Sequence, residues 1–353
     1  CVDLRDFPLY ITGKLHSELG ENVELSGSDL LVLAKRSIGK DENWWRKMVH
    51  KLDEVFSDEE ILQFLNNPES YVKGFDEDIR ELFFQHITRL SGQPDIEKPP
   101  VTLANELVEK IFTGLAENSI QGRLLSLYNQ WSDSVTYRES MQRYLHEFTI
   151  PEVLSCWDTH PDHCFTEVDR ECFKDMGKNI HDKSYVKEKI ATIQKRVSSK
   201  CTWCVPSWWR EVITLILFNR GELDTLKSLD EIADYYCREY CTIDRAIRIL
   251  YAEFLNDKEL LLPWQELYEN YNYLMLQKWF QYFSTYSQNQ QGLLKELLKT
   301  NSGNTAIIVG DGIRLEIARG ITDRLKKYYK IEEDYIKADI PSETENNMSA
   351  LFL

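Results

Sequence analysis

Two polar residues near the carboxyl end of the chain have the types and the spacing of a phosphoryl-transfer site. Asp311 follows the short apolar run 306–309, and Thr344 follows the mixed segment 335–343. A carboxylate is a hard oxygen ligand for a divalent cation, and a Thr hydroxyl becomes a useful nucleophile when a metal or a base lowers its pKa. One site that holds both residues could therefore transfer a phosphoryl group with the help of a metal ion.

The elements around these two residues are predicted to form a βαβ unit. The run 306–309 is typical of a strand buried on both faces, 335–340 can form a second strand, and 313–328 repeats apolar residues at helical spacing. Because open α/β sheets bind ligands at the carboxyl ends of their strands, we expect Asp311 and Thr344 to lie close together. Spacing alone leaves a structural alternative, in which the Asp belongs to a turn and the Ser-x-Thr sequence caps a helix.

The much longer region before this unit is predicted to be helical. The 15 Gly residues in 353 are few for a protein built of βα turns. Ser57 with Glu60, and Ser228 with Glu231, have the spacing of capping boxes. Helical periodicity also covers 75–90, 103–115, 124–131 and 183–197.

Residues 207–287 give the clearest helical pattern. Ser207 is expected to cap a helix that stops near Gly221, and Pro263 is expected in the first turn of a later helix. A wide aromatic and aliphatic stripe follows within 264–283. We interpret this stripe as core packing, with a binding groove as the alternative.

Changes of composition divide the sequence into three predicted regions. Residues 1–95 are mixed and helical, and 96–300 form a helical domain after the Pro- and Gly-containing break at 91–101. Residues 301–353 begin an α/β domain. The predicted fold class is therefore mainly α, with multi-helix N-terminal and middle regions followed by the first βαβ unit of an incomplete α/β domain.

Two segments resemble the PglZ domain, a branch of the alkaline-phosphatase-like metal hydrolases. Residues 308–318 read Ile-Val-Gly-Asp-Gly-Ile-Arg-Leu-Glu-Ile-Ala, which is similar to the opening strand of that domain followed by Asp-x-x-Arg-x-Glu and a helix. Residues 338–352 contain Pro-Ser-Glu-Thr and Met-Ser-Ala-Leu, which are similar to its second block. A weaker resemblance, at 160–170 and 244–248, is to the helical part upstream of the domain in PglZ proteins of BREX-type phage-defence systems.

The resemblance implies a metal-dependent phosphodiesterase or phosphatase in a bacterial phage-defence system. Asp311 would be a metal ligand, and Thr344 would be both a ligand and the nucleophile that forms a phosphothreonine. Arg314, Glu316 and Asn347 match the motif as supporting residues. The resemblance also implies a divalent metal, zinc with manganese as the alternative. It further implies a nucleic-acid or nucleotide phosphoester as substrate, other defence proteins as partners, and a cytoplasmic location without a membrane.

The resemblance also implies an incomplete domain, because the family places its remaining Asp and His ligands well downstream of the Thr. Only nine residues follow Thr344 (353 − 344), and the sequence begins with Cys1 instead of Met. We therefore expect a fragment of a longer protein; the alternative is a domain that has lost its chemistry.

Composition favours one further hypothesis and opposes another. A non-catalytic scaffold, which docks partners of the defence complex through its helical region, fits the acidic and aromatic-rich bulk of the chain. Nucleic-acid binding is opposed by the net charge of −16, since a broad nucleic-acid surface needs clustered Lys and Arg.

The eight Cys residues suggest reduced thiols in a cytoplasmic protein. Cys201 and Cys204 form a C-x-x-C pair that could hold structural zinc only with further ligands. A redox pair and plain buried thiols are the other readings, and we favour buried thiols. The possible further zinc ligands are Cys156, His160, His163, Cys164 and Cys172.

Overall fold

The computed structural model is mainly helical, as the sequence predicts, and contains no β-strand among the residues it describes. It divides into two compact units, Cys1–Cys172 with Gln194–Pro206, and Phe173–Ile193 with Ser207–Leu353. The structure describes residues 56–75, 77–93, 95–152, 155–300, 303, 306–308, 310 and 312–351.

Six complete α-helices belong to the described part of the first unit. Two further α-helices begin in one unit and end in the other. The capping box at the first helix is confirmed, because the Ser57 side chain accepts from the Glu60 N–H and the Glu60 side chain accepts from the Ser57 N–H. The helices are α1 (Asp58–Asn66), α2 (Pro68–Val72), α3 (Glu77–Ser91), α4 (Pro100–Ala116), α5 (Gly122–Asp133), α6 (Arg138–Glu147), α7 (Thr166–Lys178) and α8 (Lys183–Val197).

Aromatic side chains fill the core of the first unit. The Phe83 ring meets Phe56 and Phe64 edge-on, with ring centroids 4.9 Å apart in both pairs. Farther along the chain, Phe112 stacks on Trp131 at 6.0 Å. All five side chains are buried, so the apolar faces predicted from helical spacing do form this core.

One buried ion pair ties α8 to the first turn of α7, which follows an irregular segment. Arg196 donates to both carboxylate oxygens of Asp169, at 3.0 and 2.7 Å. The same guanidinium donates to the carbonyl oxygens of Pro161, His163 and Cys204. Since every one of these bonds is made by a single buried side chain, Arg196 sets the conformation of the 160–169 segment.

The second unit is also built of helices in the residues that the structure describes. A buried aromatic stack forms its core, in which Phe173 lies parallel to Phe254 at 4.3 Å and to Trp264 at 4.9 Å. Its helices are α9 (Trp208–Ile216), α10 (Gly221–Thr225), α11 (Leu229–Tyr235), α12 (Cys241–Glu253), α13 (Lys258–Tyr282), α14 (Leu293–Thr300), α15 (Leu315–Leu325) and α16 (Thr344–Ala350), with a π-helix at Tyr236–Tyr240.

One predicted capping bond and two predicted helix boundaries in this unit are wrong, although the helix after Ser207 does begin at Trp208 as expected. Ser207 makes no capping hydrogen bond because its backbone is already helical, at φ −63° and ψ −25°, whereas a capping residue needs an extended backbone. Gly221 begins α10 instead of ending the helix before it. Pro263 lies inside α13, which begins at Lys258, so tertiary packing tolerates the missing N–H.

The predicted βαβ unit is not seen among the described residues, where only its helix α15 forms. Ile308 is 93% exposed instead of buried in a strand, and 331–339 has an irregular backbone. A parallel strand needs hydrogen-bonding neighbours and covering layers on both faces. The described residues provide neither, and Ile317 and Ile321 of α15 are consequently exposed.

None of the helices in the described ranges is long and apolar enough to cross a lipid bilayer.

Candidate functional site

The described residues that lead to Thr344 contact helices and loops of the second unit. Thr344 is the first residue of α16 and is exposed. Asp311 lies outside the described residues, so the proximity of Asp311 and Thr344 remains a prediction. Arg314 is the exposed residue that precedes α15.

Asn347 holds the turn that leads into Thr344. Its side-chain oxygen accepts from the backbone N–H of Asp339 at 2.9 Å, and its side-chain nitrogen donates to the carbonyl oxygen of Glu343 at 3.0 Å. Gln290 also donates to the same Asn347 oxygen at 2.6 Å. Because one amide bonds both ends of the 339–343 turn and the loop before α14, Asn347 acts as a positioning residue for Thr344.

The irregular segment before this turn is fixed by hydrogen bonds to helices and loops. The Tyr335 hydroxyl donates to Asp234 at 2.7 Å, and the Lys337 ammonium lies 2.8 Å from Asp230. Asn289 bonds Lys337 twice, with its N–H donating to the Lys337 carbonyl and its side-chain oxygen accepting from the Lys337 N–H. The backbone groups that a second β-strand would use are thus partly satisfied by the 286–290 loop.

Glu316 anchors α15 to α12. Its carboxylate forms an ion pair with Arg248, and Glu316 is the more buried partner. Near this pair, the Arg319 guanidinium lies 3.1 Å from the Cys241 sulfur and 3.7 Å from the Glu333 carboxylate. The Glu316 carboxylate therefore links α15 to α12, and its role as a motif residue stays a prediction.

A buried carboxylate, Asp244, with two tyrosine hydroxyls bonded to it lies beside the same junction and was not predicted as a site. Asp244 accepts hydrogen bonds from the hydroxyls of Tyr236, at 2.6 Å, and Tyr268, at 3.0 Å. Burial, followed by the charge of Asp244, raises the pKa of Tyr268 to about 12, and burial with the same hydrogen bond raises the pKa of Tyr236. The π-helix brings Tyr236 and Tyr240 to Asp244, and such helices often lie at functional positions. No sequence pattern indicates a π-helix, so the sequence alone does not predict that these tyrosines meet Asp244.

The described residues do not form a divalent-metal site. No group of three or more His, Cys, Asp or Glu side chains in the described ranges is arranged to hold a metal ion. Of the two predicted ligands only Thr344 is described, and a single hydroxyl cannot hold a divalent ion.

The Cys201–Cys204 pair forms a disulfide and the nearby histidines bond to backbone groups, in contrast to the zinc site that the sequence offers. Cys201 and Cys204 form a disulfide with Cα atoms 5.6 Å apart, which corrects the expectation of two buried thiols. The Nδ1 atoms of His160 and His163 accept from the backbone N–H groups of Asp162 and Phe165. These histidines thus shape the 160–165 loop.

Known proteins provide no independent assignment of the site. Comparisons with protein-family models, with curated proteins and with solved structures find no match to this chain. The resemblance to the PglZ domain consequently depends on the residues at 308–318 and 338–352 themselves.

Proposed function

We propose that this chain carries the opening of a PglZ-type phosphoester hydrolase, with Thr344 as the nucleophile and Asp311 as a ligand of a divalent metal, zinc or manganese. The observation that carries the proposal is the Pro-Ser-Glu-Thr turn of the motif, which Asn347 holds so that Thr344 is exposed at the start of α16. The ion pair between Glu316 and Arg248 adds support, because it joins two segments that separately resemble this family.

The proposed reaction uses the Thr344 hydroxyl. Its oxygen forms a bond to phosphorus, its proton goes to a base, and the ester oxygen leaves with the bonding electron pair and gains a proton. Water then attacks the phosphothreonine, which releases the phosphoryl group and restores the hydroxyl. The proposal includes the βαβ arrangement of 306–340, since a sheet would cover the exposed apolar side chains of Ile308, Ile317 and Ile321.

The proposed setting is a cytoplasmic bacterial phage-defence system of BREX type. The substrate would be a nucleic-acid or nucleotide phosphoester, and the partners would be other proteins of that system. This part of the proposal rests on the family resemblance, since the geometry of the described residues does not select a substrate.

Replacement of Thr344 in the full-length natural protein tests the nucleophile. With Zn²⁺ or Mn²⁺ supplied, we expect Thr344→Ala to lower the hydrolysis of a chromogenic phosphodiester by at least about a thousandfold, because loss of a nucleophile removes the covalent route. Ser342→Ala, two residues earlier in the same turn, is the matched control and should retain most of the rate. Full activity of Thr344→Ala, or an equal loss in both variants, would contradict the assignment.

A scaffold that docks partners through its helical region is the second candidate function. It is favoured by an open groove in the second unit, which is described in the next subsection. Absence of hydrolysis with either metal, together with binding of a partner at this groove, would select the scaffold over the hydrolase.

A further inference from the structure

An open groove runs between α8 and α13 in the second unit, and we call it the α8–α13 groove. Its volume is about 660 Å³, which is within the range of about 300–1,000 Å³ typical of ligand sites. Its apolar walls are formed by Val186 and Ile190 of α8, Leu267 and Leu274 of α13, and Ile216 and Phe218 at the end of α9.

The rim of the groove is basic in an otherwise acidic protein. His181, Lys183, Lys187 and Arg220 line it, and no Asp or Glu does, although the chain as a whole has a net charge of −16. Among the described residues, none of these four side chains forms an ion pair. The rim therefore offers the cationic groups of Lys183, Lys187 and Arg220 to an acidic ligand.

The acidic residues nearest along α8 already have partners. The Asp182 carboxylate accepts from the backbone N–H groups of Ser184 and Tyr185, at 2.9 and 3.1 Å. The Glu188 carboxylate lies 2.9 Å from the Lys189 ammonium. Neither carboxylate lines the groove, so neither occupies the position of an acidic ligand at its rim.

The groove is too open to enclose a small molecule. Leu217 is 57% exposed and Tyr273 is 61% exposed, although both line it. Small ligands are held in pockets that bury about 70–90% of their surface. An amphipathic helix needs no such enclosure, because it lays only its apolar face into a groove.

We infer that the α8–α13 groove binds an acidic amphipathic α-helix of a partner protein. The apolar face of that helix would contact the groove walls, at Ile190 and Leu274 among others, and Asp or Glu residues along its edges would face Lys183, Lys187 and Arg220. Charge complementarity with the basic rim selects an acidic helix over a basic one. The inference does not depend on the phosphoester hydrolase proposal.

The binding test uses a designed helix as the probe. A fluorescein-labelled peptide of about 18 residues is long enough to form a helix, with Leu at positions i, i+3, i+4 and i+7 and Glu on both flanks. We expect saturable binding to the whole chain by fluorescence anisotropy, and weaker binding as the salt concentration rises. A scrambled peptide and a peptide with Lys in place of Glu should not show saturable binding.

Paired substitutions locate the binding site. Leu217→Asp places a charge against the apolar face of the helix and should weaken binding at least about tenfold. Leu255→Asp is its control, at a leucine that is 65% exposed and outside the groove. Lys187→Glu should weaken binding about fivefold, whereas Lys227→Glu, away from the groove, should not. Circular dichroism melting checks that each variant is folded.

Each of the following results would overturn the inference. The acidic peptide shows no saturable binding, or the charge-reversed peptide binds equally well. The groove and control substitutions have equal effects, or Leu217→Asp and Lys187→Glu both bind the peptide as tightly as the wild type does. Binding of oleate at the groove without binding of the peptide would also reject a helix and assign the site to an anionic lipid.

Discussion

The imidazole of His163 is held neutral in the interior of the first unit. Burial lowers the pKa of His163 well below its usual range, and the nearby Arg196 and His160 lower it further. The Asp169 carboxylate, 4.0 Å from the His163 Nε2 atom, does not offset these effects, because it is bonded twice to Arg196. His163 is thus a structural acceptor, with its Nδ1 atom bonded to the Phe165 N–H.

This shift predicts that the first unit loses stability in mild acid. Below the unfolded pKa of about 6.5 the unfolded chain binds a proton that folded His163 does not. His163 therefore does not reduce the free energy of unfolding above about pH 6.5. Below that pH the free energy of unfolding falls as the pH decreases, by up to about 1.4 kcal/mol per pH unit. Urea unfolding between about pH 7 and 5 measures this slope.

His163→Asn isolates the effect, because the Asn oxygen can accept from the Phe165 N–H without titrating. We expect a smaller slope in this variant, with a remainder from His160, whose pKa burial also lowers. His146→Asn, at an exposed histidine of α6, should leave the slope as in the wild type. An unchanged slope in His163→Asn would show that other groups cause the acid sensitivity.

At the scale of single residues, a local motif identifies candidate residues but not the residues that they contact. Glu316 and Asn347 were singled out by motif, and both have specific partners in the structure. Their partners Arg248 and Gln290 lie 68 (316 − 248) and 57 (347 − 290) residues earlier in the sequence. Such separations have no local pattern, so only the folded chain shows the pairs.

Helix capping provides a test at the scale of the element. Ser57→Ala should lower the free energy of unfolding by about 1 kcal/mol, because it removes a capping bond at the start of α1. Ser207→Ala is a matched control at an exposed serine that makes no such bond, and it should change stability by less than about 0.5 kcal/mol. Thermal or urea unfolding measures both; equal losses would show that the capping bond is not the cause.

The second predicted capping box differs from its expected pattern by one residue. Ser228 accepts from the Glu231 N–H, but the Glu231 carboxylate accepts from the N–H of Lys227 instead of Ser228. The periodicity of the sequence predicts that α11 forms. The partners of its capping hydrogen bonds depend on the backbone angles of the residues before the helix. The same reason explains Ser207, whose helical backbone prevents a cap.

The stripe on α13 shows how one helix face can have two roles. Trp264, Tyr271 and Met275 are buried, as core packing predicts, whereas Phe283 at the end of the stripe is exposed. Leu267 and Leu274 on the same helix line the α8–α13 groove. A hydrophobic pattern marks a face for burial but does not say whether this chain or a partner covers it.

The charge of the whole molecule predicts weak interaction with nucleic acid. With a net charge of −16 the chain lacks the Lys and Arg excess that releases counterions from duplex DNA. We expect no retention of a duplex in an electrophoretic mobility assay at physiological salt, and none of a single strand of equal length. Retention that falls steeply with salt would contradict this expectation and would favour the basic rim of the groove as its site.

The sequence by itself determined the mainly helical class, the positions of most helices and the identity of the Asp311 and Thr344 candidates, because periodicity, caps and motifs are local properties. Tertiary structure alone decided which residues meet: Asn347 with the turn before Thr344, and basic α8 residues with apolar α13 residues around one groove. The predicted strands did not form among the described residues, since a strand is defined by its neighbours and not by its own side chains.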